Sequence, residues 1–211
     1  MKFTGSHIVS IDQFQRDDVD LVFQVADNME PYALRKRVTR VLEGAILGNM
    51  FFEASTRTRV SFGSAFNLLG GQVRETAGFA SSALVKGESL QDTARVLSGF
   101  SDVICMRHPA AGSVAKFASA SRVPVISGGD GDNEHPTQAL LDLYTIQREK
   151  GTLGGLKIGF LGDLKYGRTV HSLVSLLEGH QNELHFISDP SLRLPDEKRE
   201  ALSAAGVRCV E

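Results

Sequence analysis

The chain has 211 residues, 42% apolar and 23% charged, with a net charge of −2, long enough for one large or two small domains around a real hydrophobic core. The near-neutral balance excludes a general affinity for nucleic acid, and apolar runs interrupted by Gly and charge exclude a bilayer-spanning helix. The N-terminus "MKFTGSHIVSIDQFQRDD" lacks the apolar segment of a secretory signal, and Cys105 and Cys209 have no zinc-like or disulfide-like spacing, so the composition points to a cytoplasmic protein without structural metal.

In chain order, residues 11–29 predict an amphipathic helix, with Phe14, Val19, Val22, Phe23 and Val25 as its apolar stripe. "AILGNMFF" (45–52) reads as a buried strand, and the helix after it stops at Gly70-Gly71. "QVRETAGF" predicts the next strand, followed by the polar loop "ASSALVKGE" and a helix carrying Leu90, Ala94, Leu97 and Phe100. "DVICMR" and "VPVIS" predict strands on either side of a short helix, "AAGSVAKFASAS". The stretch "GGDGDNEH" reads as a Gly- and Asp-rich loop, and Pro136 suits the first turn of the helix "TQALLDLYTIQREKG" that follows. From 156 the alternation restarts: strand "LKIGFLG", helix 168–178, strand "ELHFIS", helix 196–205, strand "VRCV".

Strands alternating with helices predict an α/β fold of two domains, each with a parallel sheet flanked by helices. The second has about three strands where sheets have four to six, which reads as part of a longer protein.

The segment "FFEASTRTRVSF" (51–62) sets Ser55, Thr56, Arg57, Thr58 and Arg59 where a strand gives way to a helix. A helix start offers unpaired N–H groups and a positive dipole end, hydroxyls add short donors, and a guanidinium grips phosphate in a fork. A bland alternative stands beside this: Ser55 as an ordinary N-cap and the arginines as solvated surface. Arg107-His108, His135 and Arg168 also follow strands, where ligands of open α/β sheets bind. Each has a structural reading of its own, and Lys86, in a polar loop, reads by pattern as a solvated lysine.

Together "FFEASTRTRVSF", "MRHP", "DGDNEHPTQALLDLYTI" and "GDLKYGRTVHSL" resemble the aspartate carbamoyltransferase catalytic chain of the aspartate/ornithine carbamoyltransferase superfamily, from about residue 7 to at least 178. The resemblance implies transfer of a carbamoyl group from carbamoyl phosphate to L-aspartate, in pyrimidine biosynthesis, with no metal or organic cofactor. It implies that Ser55, Thr56, Arg57 and Thr58 hold the phosphate, with Arg59 facing elsewhere around the helix. Thr58, Arg107 and His135 would converge on the carbamoyl oxygen, Gln138 would accept from the carbamoyl NH2, and Arg168 would pair with an aspartate carboxylate. Ser82 and Lys86 match a family loop that enters the neighbouring subunit's site, which implies a homotrimer with shared active sites; some members also carry regulatory subunits. The implied domains are 1–136 for carbamoyl phosphate, 137–150 as a connecting helix, and 151–211 as the first part of an aspartate-binding domain. The rival readings are an ornithine carbamoyltransferase and a non-catalytic carbamoyltransferase-like domain. A nucleotide-binding domain lacks support, since neither a P-loop nor GxGxxG occurs.

Overall fold

The computed structural model describes residues 3–78 and 87–210. It divides into two compact units, Met1–Gly131 and Asp132–Glu211. In the first, α1 (Arg16–Ala33) precedes β1 (Ile46–Phe51), α2 (Thr56–Leu68), β2 (Gln72–Ala77), α3 (Leu90–Leu97), β3 (Val103–His108), α4 (Ser113–Ala118) and β4 (Val125–Asp130). The second holds α5 (Pro136–Lys150), β5 (Lys157–Leu161), α6 (Arg168–Leu177), β6 (Glu183–Ile187), α7 (Asp196–Ala204) and β7 (Arg208–Val210). Every strand pair is parallel, as the strand–helix alternation predicts.

The first sheet runs β2-β1-β3-β4. β1, β3 and β4 are buried along nearly their whole length, which is why they read as near-continuous apolar runs rather than alternating ones, whereas β2, at the edge, keeps Gln72, Arg74 and Glu75 exposed. On one face Leu47, Phe51 and Cys105 pack with Phe62 and Phe66 of α2. On the other, Met50, Ile104, Met106 and Val125 pack with Ala94 of α3 and Val114, Phe117 and Ala118 of α4. Burial pushes the Cys105 thiol far above its ordinary range, so it behaves as a small core hydrophobe. Phe117 is fully buried in the α4 layer. We expect Phe117→Ala to cost about 3–5 kcal/mol through lost transfer energy and the cavity left behind. Urea unfolding measures it, and a loss under about 1 kcal/mol would mean that the layer collapses to fill the gap.

In the second unit the sheet order is β5-β6-β7. Phe160 and Phe186 stack with ring centroids 5.5 Å apart, while Leu161 and Ile187, one residue on, are exposed. Among the described residues no helix is long and apolar enough to cross a membrane.

Two sequence expectations need correction. The helix expected from residue 11 begins only at Arg16, after a single 3-10 turn over Ile11–Gln13. Gln13 causes the break: its side-chain oxygen accepts from the N–H groups of Val9 and Ser10, and its nitrogen donates to His7 O, tying up the turn locally. The expected loop "GGDGDNEH" gives its first three residues to β4, which extends to Asp130. The pairing of β3 with β4 shifts between Met106 and His108, so Met106 opposes Ser127 but His108 opposes Asp130. That irregularity seats Gly128 against the core, where a Cβ would lie 3.3 Å from the Phe51 ring. Strand bulges of this kind recur beside functional sites.

Candidate active site at the strand ends

In the order β2-β1-β3-β4 the chain leaves β1 to one side for β2 and returns to the other side for β3. The switch point therefore lies between β1 and β3, and ligands of open α/β sheets bind in the crevice beyond it. Two of the sequence motifs emerge there: "EASTRT" after β1 and Arg107-His108 at the end of β3. Phe51 and Arg107 stand in register, and Phe52 N–H donates to Arg107 O at 2.9 Å.

Ser55 occupies the N-cap of α2 in extended conformation, yet its side chain accepts no capping hydrogen bond. Ser55 is thus the N-cap by position, without the side-chain bond that an ordinary serine cap makes. The first turn of α2 contains no acidic residue, although carboxylates are what a helix start ordinarily favours. Thr56 and Arg57 are exposed there and Thr58 is half-buried. Arg57 makes no ion pair with a described residue. Arg59 differs: its Nη1 donates to Glu75 Oε2 on β2 at 3.1 Å. The buried Asn49 links the same groups, donating from Nδ2 to Arg59 O at 3.0 Å and to Glu75 Oε1 at 3.2 Å. Of the two arginines, one anchors the helix to its sheet and the other projects from the helix start.

Arg107 is buried and already organised. Its Nε and Nη2 donate to Glu53 Oε2 and Oε1 at 3.2 and 3.1 Å, and its Nη1 donates to Gly128 O at 3.3 Å. These bonds engage three of the five guanidinium N–H donors. They hold the guanidinium, at the end of β3, without rotamer freedom to lose. Glu53 is a functional neighbour that the sequence reading missed. Its signal was a carboxylate two residues past β1, opposite an arginine ending the adjacent strand. His108 has a structural role: its Nδ1 accepts from Ala110 N–H at 3.0 Å, and its ring meets Phe52 edge-on. Burial pushes its imidazole below the ordinary range, against the opposing pull of Asp130 and Glu53.

The turn after β4 is steric in origin. Gly131 has φ +57°, and a Cβ there would stand 2.7 Å from Pro109 O, so only glycine fits. Asp130 Oδ2 accepts from Gly112 N–H at 2.8 Å, at the start of α4.

In the second unit, His135 is the buried N-cap of α5, with Pro136 as the first helical residue. Its N–H donates to Ser172 Oγ of α6 at 3.1 Å, and its Nδ1 faces Thr137 Oγ1 at 3.4 Å. Gln138 follows in the same turn, donating from Nε2 to Asp142 Oδ1 at 2.8 Å. Arg168 opens α6 and is half-buried. Gly167 precedes it because a Cβ would meet Asp163 O at 2.5 Å. His171 Nε2 lies 3.0 Å from Leu164 O, fixing this loop to its helix. The structure thus gathers Ser55–Thr58 and Arg107 at one switch point, and His135 and Gln138 at the start of α5. Ser82 and Lys86 lie outside the described residues.

An open parallel sheet whose switch point carries a helix start and a fixed guanidinium has the build of an α/β anion-binding protein. A family model described as "Aspartate/ornithine carbamoyltransferase, carbamoyl-P binding domain" matches residues 6–148. The chain belongs to the aspartate/ornithine carbamoyltransferase family. It is 68% identical to the aspartate carbamoyltransferase catalytic subunit of Saccharophagus degradans, over 99% of this chain and 63% of the relative. With that of Cellvibrio japonicus it shares 69% identity, over 98% of this chain and 62% of the relative. Among solved structures, the catalytic subunit of M. jannaschii aspartate transcarbamoylase superposes with a TM-score of 0.91 at 46% identity, over 98% of this chain and 68% of that one. Aspartate transcarbamoylase from Trypanosoma cruzi, in complex with carbamoyl aspartate and phosphate, gives 0.90 at 38% identity, over 98% and 68%. The chain thus spans less than two thirds of the length of the first two relatives.

Proposed function

We propose that the full-length protein is an aspartate carbamoyltransferase of the cytoplasm, forming N-carbamoyl-L-aspartate and phosphate for pyrimidine synthesis. The observation that carries this reading is the α2 start: uncapped by Ser55, without acidic residues, and carrying Arg57 after the strand that pairs with the one holding the fixed Arg107. Family membership gives that anion site its ligand, carbamoyl phosphate. Ser55, Thr56, Arg57 and Thr58 hold the phosphate oxygens through backbone N–H groups, hydroxyls and a forked guanidinium. Ser82 contributes as well.

The aspartate amine attacks the carbamoyl carbon. Negative charge builds on the carbonyl oxygen, where Thr58, Arg107 and His135 donate hydrogen bonds that strengthen as it grows. The carbon–oxygen bond to phosphate then breaks, and the departing phosphate accepts the amine proton. Gln138 accepts from the carbamoyl NH2, while Arg168 and Lys86 bind aspartate. Most of the rate enhancement in this scheme comes from positioning two anions that repel each other. The first unit serves carbamoyl phosphate, and the second opens the aspartate-binding domain. Lys86 and Ser82 act in a neighbour's site, within a homotrimer that can carry regulatory subunits.

The test is an assay of the full-length protein with carbamoyl phosphate and either L-aspartate or L-ornithine. Phosphate release with aspartate alone is the expected result. Release with ornithine alone would overturn the substrate assignment, and release with neither would overturn the activity.

A further inference from the structure

Asp142 stands one turn after Gln138 on α5, and the two side chains meet through a single bond, Gln138 Nε2 to Asp142 Oδ1 at 2.8 Å. Asp142 is half-buried, and burial pushes its carboxyl above the ordinary range, opposed by the Gln138 hydrogen bond. Among the described residues it pairs with no cation. A carboxylate partly withdrawn from water without a positive partner is a poor choice for stability alone, and Ala would serve the helix better.

The bond has a directional consequence. An ionised carboxylate only accepts hydrogen bonds, whereas a glutamine amide has one accepting end and one donating end. Beside Asp142 the amide has a single favourable orientation: nitrogen toward the carboxylate, oxygen turned away from it. A glutamine without such a neighbour exchanges its two ends by rotating about its last torsion, which is broad and two-fold. It would then offer a ligand either a donor or an acceptor.

We propose that Asp142 is a positioning residue that locks Gln138 as an acceptor and thereby makes the site select a carbamoyl NH2 over an isosteric methyl. This inference rests on the reading that Gln138 Oε1 meets the NH2 group of carbamoyl phosphate. Acetyl phosphate is the matching probe, because it keeps the phosphate and the carbonyl but carries CH3 where carbamoyl phosphate carries NH2.

The experiment measures dissociation constants of carbamoyl phosphate and acetyl phosphate for the full-length protein and for Asp142→Ala, Asp142→Asn, Gln138→Ala and the double variant. With Asp142→Ala, carbamoyl phosphate binding should weaken about threefold to tenfold, the net worth of one hydrogen bond. Acetyl phosphate binding should change less than about twofold, so the preference falls. Asp142→Asn keeps an accepting oxygen and should lie between Ala and the native residue; it also serves if the Ala variant folds poorly. In the Gln138→Ala background, Asp142→Ala should have no further effect on the preference. Equal weakening of both ligands, or no weakening of either, would overturn the positioning role, since a purely structural helix pair cannot distinguish NH2 from CH3. If Gln138→Ala leaves the preference intact, the Gln138 contact itself falls. If it abolishes the preference while Asp142→Ala does not, only the role of Asp142 falls.

Discussion

Arg57→Ala in the full-length protein should lower kcat/KM for carbamoyl phosphate by about 100-fold or more, because a bidentate charge-assisted contact to phosphate is lost. The same change should leave the melting temperature unchanged or slightly raised. Arg57 is exposed in the first turn of α2, beside no acidic residue, and a cation there opposes the helix dipole. Its removal relieves that repulsion and breaks no ion pair to a described residue. A residue that costs its helix stability is readily explained by a ligand that supplies the missing negative charge. Steady-state kinetics and a thermal melt check both halves. A near-normal rate would end the phosphate-cradle assignment, and a collapse in melting temperature would make Arg57 a structural residue. Arg59→Ala is the internal control. Its partner is Glu75 on β2 at 3.1 Å, so it should act mainly through α2 anchoring.

The contrast between these two arginines shows where sequence reasoning works. Helical periodicity alone separates Arg57 from Arg59, since residues two apart face different directions. Alternation of strand and helix likewise predicts the parallel sheets, because a parallel strand requires a crossover before the next. Strand order is another matter. Nothing local in "AILGNMFF" or "DVICMR" says that they are neighbours, and the switch point follows only from that adjacency. Long-range pairs escape for the same reason: Glu53 with Arg107 spans 54 positions, and its meaning depends on the β1–β3 register. The Gly128–Asp130 stretch misleads in the opposite direction. Its composition is that of a turn, but Gly128 is buried against Phe51, and sheet packing overrides the local preference. The roles of Ser55, Thr58, Arg107, His135, Gln138 and Arg168 rest on motif resemblance, because spacing identifies a helix start or a strand end but not the ligand beyond it.

His135→Ala tests whether the second unit acts on the transition state or merely on the bound substrate. The side chain is buried, and its Nδ1 faces Thr137 Oγ1 in the first turn of α5 at 3.4 Å. The N-cap of α5 makes no side-chain cap bond; the helix starts on Pro136, and the backbone N–H of His135, retained in Ala, donates to Ser172 Oγ at 3.1 Å. The substitution therefore removes an imidazole while keeping that backbone bond between α5 and α6. If the imidazole donates to the carbamoyl oxygen, its contribution is small in the ground state and grows with the charge on that oxygen. The maximal rate should then fall by about 100- to 1000-fold, the range found when one oxyanion donor is removed. Carbamoyl phosphate binding, measured by titration without aspartate, should weaken far less, because the phosphate grip lies with Ser55–Thr58. His135→Asn keeps a short donor and should recover part of the rate. A steep loss of carbamoyl phosphate affinity at unchanged maximal rate would instead make His135 an ordinary binding residue. Loss of both with a lowered melting temperature would assign it to the packing of α5 against α6.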